Sequence, residues 1–554
     1  MELIRTRTND CENCYKCIRT CPVKAISFSD NQAQIISDDC IYCGLCKNSC
    51  PQDAKAVHSD MDFLRNWLLE KREIVISIAP SFLSDFYKSD FNSMREALKT
   101  LGVREVYQTA EAATVVKRRY EREIANKRSP IIISSACPTV NLLIQKHHPA
   151  LIPYLSNTPS PMHIHKRMLD ERHPDALKVF IGPCLSKRYE AEVDDTMDAV
   201  ISFVELKHWL EESQVDWKRT DTENPKGRTN AFPVSGGIIR SFARHEPDYH
   251  YLSVDGIEAC EQALSDIDEG VIDNAFIEMS ACDNSCTGGP LRNTHTKKPL
   301  KSVINIRQNT TFEDYPVEGL YEQASVTYDC LHKSDNEPTD EALDDILRQM
   351  GKDEKKKILN CGSCGYDTCL SKARAVYQGK ADLTMCLPYL KERAESFSDN
   401  IVHNSPNGVL VFTSDLKVRT MNPVAKQLLG VSGIKESTLH IHELLDPDPY
   451  LDMLENERTR HHHAFYLSEQ DRHIDETVVY DSKFRVFIAI LRDITAEIQH
   501  KRQKERATRR TVAITDEVID KQMRVVHEIA SLLGETTAET KGALSDLKKV
   551  IDDE

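Results

Sequence analysis

The chain of 554 residues has no run of about 18 apolar residues, the length that crosses a bilayer, so no membrane-spanning helix is expected. Its first residues, MELIRTRTND, lack the apolar stretch of a secretion signal, and export is not expected. Excess positive charge is missing too. Lys and Arg number 71 against 87 Asp and Glu, a formal net charge of −16 that argues against nucleic-acid binding. The one basic run, His500-Lys501-Arg502-Gln503-Lys504 to Arg509-Arg510, reads as a solvated helix face. The sequence has no kinase or phosphatase motif, and no cysteine after Cys386.

Before that point cysteine is abundant. Sixteen of the 18 cysteines fall into four groups, leaving Cys260 and Cys330 as buried or incidental. Cys11-x2-Cys14-x2-Cys17-x3-Cys21-Pro22 is repeated as Cys40-x2-Cys43-x2-Cys46-x3-Cys50-Pro51. Cys137, Cys184, Cys282 and Cys286 follow, and the last group is Cys361-x2-Cys364-x4-Cys369 with Cys386. Free thiols at metal spacing in an unexported chain imply a reducing, cytoplasmic setting, where they bind metal instead of forming disulfides.

Length implies several units, and the pattern divides them. Residues 1–60 hold the double repeat. Across 61–330 the β-branched runs Ile74–Ile78, Ile131–Ile133, Val179–Ile181 and Ala275–Ile277 alternate with helical stretches, which predicts α/β with a largely parallel sheet. Ala79-Pro80-Ser81, Cys137, Cys184 and Cys282 lie just past those strands, where α/β sheets bind ligands. Residues 331–358 are charged and polar, a linker with one helix; 359–395 hold the last cysteines. Residues 396–496 are a cysteine-free unit with strands near Val409–Phe412 and Phe484–Leu491. Residues 497–554 are helical, with Val518, Val525, Ile529, Leu532, Leu544, Leu547 and Ile551 forming a packing stripe suited to a dimer. The fold class is multidomain α+β and α/β.

A cubane needs four thiolates; the x2, x2 loop curls three around one cluster while the Cys before Pro reaches the other. Cys11, Cys14, Cys17 and Cys50 are expected to hold one [4Fe–4S] cluster, and Cys40, Cys43, Cys46 and Cys21 the second. Structural zinc is the weaker alternative. The segment resembles bacterial two-cluster ferredoxins, which implies electron relay.

The loops Ser134-Ser135-Ala136-Cys137-Pro138, Gly182-Pro183-Cys184-Leu185-Ser186-Lys187 and Glu278-Met279-Ser280-Ala281-Cys282-x3-Cys286-Thr287-Gly288-Gly289 resemble the three signature loops of [FeFe] hydrogenases. The resemblance implies an H-cluster: a cubane on Cys137, Cys184, Cys282 and Cys286, with Cys286 bridging to a diiron subsite bearing CO, CN⁻ and azadithiolate. Lys187 and Ser81 match positions that donate hydrogen bonds to cyanide. A surface lysine at a helix start is the bland alternative for Lys187. Ser235-Gly236-Gly237 resembles a turn that lets backbone approach the cofactor.

Where catalytic members carry a second cysteine beside the first ligand this chain has Ala136, and their two flanking methionines correspond to Gly182 and Ser280. Ala113-Thr114-Val115-Val116-Lys117-Arg118-Arg119 is basic where those enzymes carry relay glutamates. Losing a positioned acid–base group typically costs ~10² to 10⁴ in rate. This pattern resembles the sensory, PAS-containing type of the family, with slow heterolytic H2 cleavage.

The group Cys361, Cys364, Cys369 and Cys386 resembles a single-cluster Fe–S domain, with zinc again the alternative. Asn404-Ser405-Pro406-Asn407-Gly408-Val409, Met421-Asn422-Pro423 and Arg492-Asp493-Ile494-Thr495 resemble a PAS domain of unknown ligand. His461-His462-His463 reads as a solvated loop in preference to a metal or haem site.

The leading expectation is a cytoplasmic H2 or redox sensor with three accessory [4Fe–4S] clusters. Its partners would be a ferredoxin-like redox protein, hydrogenase maturation proteins, a signalling phosphatase or kinase, and a second copy of the chain. The rivals are a ferredoxin-linked catalytic hydrogenase and a non-catalytic iron–sulfur assembly scaffold.

Overall fold

A computed structural model describes residues 3–29, 32–218, 224–293, 299–333 and 337–552. Part of the charged segment, Ser334 to Asn336, therefore lies outside the described residues, as does the side chain of Ile551. Among the described residues no helix is long and apolar enough to cross a membrane. The chain divides into Met1–Leu390 and Lys391–Glu554.

In the first unit the cysteine repeats give two copies of one local structure. The residue after the second cysteine of each repeat, Tyr15 or Gly44, is left-handed (φ 56° and 75°) and starts a short helix, Lys16–Thr20 or Leu45–Ser49. Each helix ends on the cysteine before proline, and Cys21 and Cys50 share nearly one conformation (φ −72°, ψ 115° and 114°). Proline rejects the helical conformation in the residue before it, which stops both helices there. Strand Ile4–Thr6 pairs antiparallel with Lys55–Val57 and closes the repeat.

The central α/β region contains two parallel sheets where the sequence suggested one. The first has the order Glu105–Gln108, Ile74–Ile78, Leu177–Gly182, Ala199–Ser202; the second is His250–Asp255, Ala275–Ser280, Ile131–Ile133. Strands such as Ile74–Ile78 and Ile131–Ile133 are buried at every residue, which is why they read as unbroken apolar runs. The pattern gives strands but not their partners.

The helix expected within 331–358 is Asp340–Gln349, started by the Thr339 side chain accepting from Ala342 N–H. It buries Leu343, Leu347 and Met350 against Ala373 of helix Cys369–Tyr377, so it packs onto the last cysteine group. Tyr366, Ala375, Ala381 and Met385 share a core with Ile18 and Phe28 of the N-terminal repeat.

The second unit is a five-stranded antiparallel sheet ordered Val418–Met421, Gly408–Thr413, Val486–Asp493, Arg472–Asp481, Arg460–Leu467. Buried Asn422 organises its opening turns: its side chain accepts from Val409 and Ala425 N–H at 2.8 Å and donates to Val402 and Asn407 carbonyls at 2.9 Å. His461, His462 and His463 lie on strand Arg460–Leu467, which corrects the loop reading; alternate histidines face opposite sides of the sheet. Helix Thr495–Asp552 follows, 58 residues long or about 87 Å.

Candidate metal centres

Cys137, Cys184, Cys282 and Cys286 line one cavity, at the carboxyl ends of strands from both central sheets. Cys137 precedes helix Pro138–His147, and Cys184 precedes Ser186–Val193 by one residue. Between Cys282 and Cys286, Asn284 and Ser285 both adopt left-handed backbone (φ 60° and 56°), a reversal that returns the second thiol to the same cavity. Burial and repulsion from neighbouring thiols push Cys286 up to about 12 and Cys282 well above its usual range. Such a set stays ionised only around a strongly positive centre.

Ser81 lines this cavity, 1% exposed, and its Oγ has no hydrogen-bond partner. Lys187 also lines it and is buried, so it is not the surface lysine of the bland reading. Its Nζ donates to Glu190 Oε2 at 2.5 Å, and its charge favours ionisation of Cys137 and Cys286. Ala136 is on the wall. The basic stretch beyond Ala113 is held by a neighbouring segment: Lys117 Nζ reaches both Asp314 oxygens at 2.8 Å, Arg118 donates to Val317 O, and Arg119 to Tyr321 O.

Several wall groups escaped the sequence reading. Met162 lines the cavity from helix Pro161–Arg172, and Met279 lines it beside Ser280. A β-carbon at Gly182 would come within 2.6 Å of the Phe180 ring, so that position is closed by packing. The glycine turn is also explained internally. A β-carbon on Gly237 would collide with the Ala231 carbonyl, Gly237 N–H donates to Val234 O at 2.8 Å, and buried Glu278 accepts from Ile239 N–H just beyond the turn at 3.0 Å. Burial raises Glu278 to about 7.

A further polar chain begins at Thr109 on the cavity wall: its Oγ1 is 2.7 Å from Ser77 Oγ, which lies 2.6 Å from His165 Nδ1. Burial pushes fully buried His165 down to about 3, so it is neutral. A serine inside the apolar strand Ile74–Ile78 was the available signal for this chain. Cys260 is buried, its Sγ directed at Ser280 O, and Cys330 is exposed.

The other groups assemble as well. Cys21, Cys40, Cys43 and Cys46 line a second, smaller cavity, so the first repeat lends Cys21 to the second. Cys361, Cys364, Cys369 and Cys386 line a third. Cys11 and Cys14 lie close enough to Cys17 to raise its pKa, and Cys14 and Cys50 both approach Gln52 Oε1 at 3.8 Å. Matching the repeat symmetry, Ala25 N–H donates to Cys21 Sγ and Ala54 N–H to Cys50 Sγ, each at 3.3 Å. Among the described residues no three His, Cys, Asp or Glu groups close on a point as they would around one metal ion. The thiols ring cavities instead, which suits a multi-atom cluster better than zinc.

The sites are neighbours. Leu185, next to Cys184, also lines the Cys21/Cys40/Cys43/Cys46 cavity, and Cys43 acts electrostatically on Cys282. At the other side Arg19 donates to Ser363 O at 3.1 Å and Lys24 to Gly365 O at 2.9 Å, docking the third group on the repeat.

The family described as iron only hydrogenase large subunit, C-terminal domain, matches residues 72–290; a 4Fe-4S dicluster domain matches 10–54; an Fe–S cluster family matches 359–388; and a PAS domain matches 396–463. Curated relatives include the cytosolic Fe–S cluster assembly factor NAR1 of Kluyveromyces lactis, 27% identical over 36% of this chain and 46% of the relative. The Saccharomyces cerevisiae NAR1 is 25% identical over 35% and 46%. The chain thus spans less than half the length of these relatives. A solved [FeFe]-hydrogenase from Chlamydomonas reinhardtii is similar at 16% identity, covering 50% of this chain and all of that one, with a TM-score of 0.41.

Proposed function

We propose that this protein is a cytoplasmic sensor of H2 or redox state, built on a hydrogenase-like site with slow turnover and an output through its PAS domain. The observation that carries the reading is relative size. The central four-cysteine cavity is about 120 Å³, against about 20 Å³ for each of the two accessory cavities that have the same number of thiols. A site for a cubane alone has no need of the extra space.

In that space Cys137, Cys184, Cys282 and Cys286 would hold an H-cluster, whose diiron part would supply the iron at which H2 is split. Ser81 Oγ stands on the wall as a donor for a small anionic ligand, and a buried donor without a partner is costly unless something accepts from it; Lys187 Nζ, here held by Glu190, would be the charged second donor. Met162, Met279, Phe232 and Ile238 keep the wall apolar and limit water. Ala136 can neither give nor take a proton, and Lys117, Arg118 and Arg119 are occupied elsewhere, which supports slow proton delivery. Neighbouring cysteine sites would pass electrons towards a ferredoxin-like partner or the Cys361–Cys386 region. Maturation proteins would install the diiron group, and a phosphatase or kinase would receive the signal.

A second reading, an iron–sulfur assembly factor, is favoured by the names of the curated relatives. It requires cubanes but no diiron group. Infrared spectroscopy of the chain after maturation with the diiron cofactor separates the two. Bands of iron-bound CO and CN⁻ are expected; their absence in protein with its cubanes assembled would reject the sensor and leave the assembly reading.

A further inference from the structure

Burying an ammonium group is expensive unless an anion compensates it. Buried Lys117 and Lys178 follow the rule, pairing with Asp314 and Asp170 at 2.8 Å. Lys55, Lys146 and Lys372 are 2%, 7% and 1% exposed; the hydrogen bonds of their ammonium groups go to neutral oxygens, while Asp38 and Asp39 act on Lys146 and Asp382 acts on Lys372 through space, each less than the neighbouring cysteines do. Lys55 Nζ donates to Thr6 Oγ1 and Ala33 O, Lys146 Nζ to Ser37 O and Cys40 O, and Lys372 Nζ to the Asp382 carbonyl.

All three sit beside cysteine groups. Lys55 acts on both Cys17 and Cys46, one from each repeat. Lys146 is 2.7 Å from the carbonyl of Cys40. Lys372 lines the cavity ringed by Cys361, Cys364, Cys369 and Cys386. Its helix, Cys369–Tyr377, begins on one of those cysteines, so the lysine projects from the turn that holds a thiol.

We propose that Lys55, Lys146 and Lys372 are built-in counter-cations of the accessory clusters, and that Lys372 sets the reduction potential of the cluster held by Cys361, Cys364, Cys369 and Cys386. A four-thiolate cubane is an anion in both oxidation states and gains one further negative charge on reduction. A fixed cation stabilises the reduced state more and raises the potential. Lys372 would keep this cluster an effective electron acceptor for its neighbours. The inference concerns the accessory clusters and holds under either reading of the central site.

The test is an EPR-monitored redox titration of the full, cluster-loaded chain with Lys372→Met and Lys372→Arg. One accessory midpoint is expected to move to more negative potential in Lys372→Met, the others staying in place, while Lys372→Arg keeps the native value. Unchanged midpoints in Lys372→Met would overturn the assignment. Should Lys372→Met fail to hold its cluster, Lys146→Met is titrated in the same way. A negative shift confined to the Cys21/Cys40/Cys43/Cys46 cluster supports the counter-cation role, and no shift refutes it.

Discussion

At the scale of single residues, Ala136 stands at the wall of the large cavity as a methyl group, which can neither give nor take a proton. In protein carrying the complete cofactor, Ala136→Cys is expected to raise proton-limited turnover by roughly tenfold or more, within the range such groups supply. An unchanged rate would place the bottleneck elsewhere. The cysteines of the repeats were legible because ligands there obey short, rigid spacings, and Cys137, Cys184 and Cys282 through the loops around them, whereas Met162 and the Thr109–Ser77–His165 chain were not. Those side chains reach the site from helices and strands distant in sequence, and no spacing rule connects them. Ser235-Gly236-Gly237 illustrates the converse: a glycine motif can be demanded by the Ala231 carbonyl and Glu278 with no cofactor involved.

At the scale of elements, period-two and β-branched patterns located strands well, but sheet membership depends on pairings that lie far apart in the chain, which is why one expected sheet is two. Strand Arg460–Leu467 was misread because three consecutive histidines look polar. Their alternation brings His463 Nδ1 to 3.5 Å from Glu476 Oε2 at the core while His462 remains largely exposed. Burial raises Glu476 to about 7, and Tyr450 donates to it at 2.8 Å. A folded-state pKa above the unfolded value means that the folded state holds the proton between about 4.5 and 7; its contribution is full at low pH and is lost as pH rises through 7. Glu476→Gln is therefore expected to stabilise the PAS unit by about 2–3 kcal/mol at pH 8 and little at pH 4.5, measured by calorimetry. Equal effects at both pH values would contradict this account.

Helix Thr495–Asp552 poses a different question at the same scale. Val512, Ile519, Val526 and Leu533 recur every seven residues and are 53–60% exposed. We propose that a second copy covers this seam, since an unpaired helix this long has little to hold it in water. Sedimentation should give a dimer, and Val526→Glu should weaken association by about 100-fold or more. A monomeric wild-type chain would dismiss the seam.

At the scale of the whole molecule, the first unit joins the central cavity, the paired repeat and the last cysteine group through shared walls and cores, while the PAS sheet and long helix form a unit of their own. Domain types could be named from motifs, but the contiguity of the sites could not, because it rests on docking contacts such as Arg19 with Ser363 and Lys24 with Gly365. Cys21 belongs by sequence to the first repeat and by position to the second repeat's cavity. Oxidative loss of that neighbouring cubane would therefore slacken the loop that also supplies Cys11, Cys14 and Cys17. With a cubane on each group the pair would act as one fuse, damage at one weakening the hold on the other.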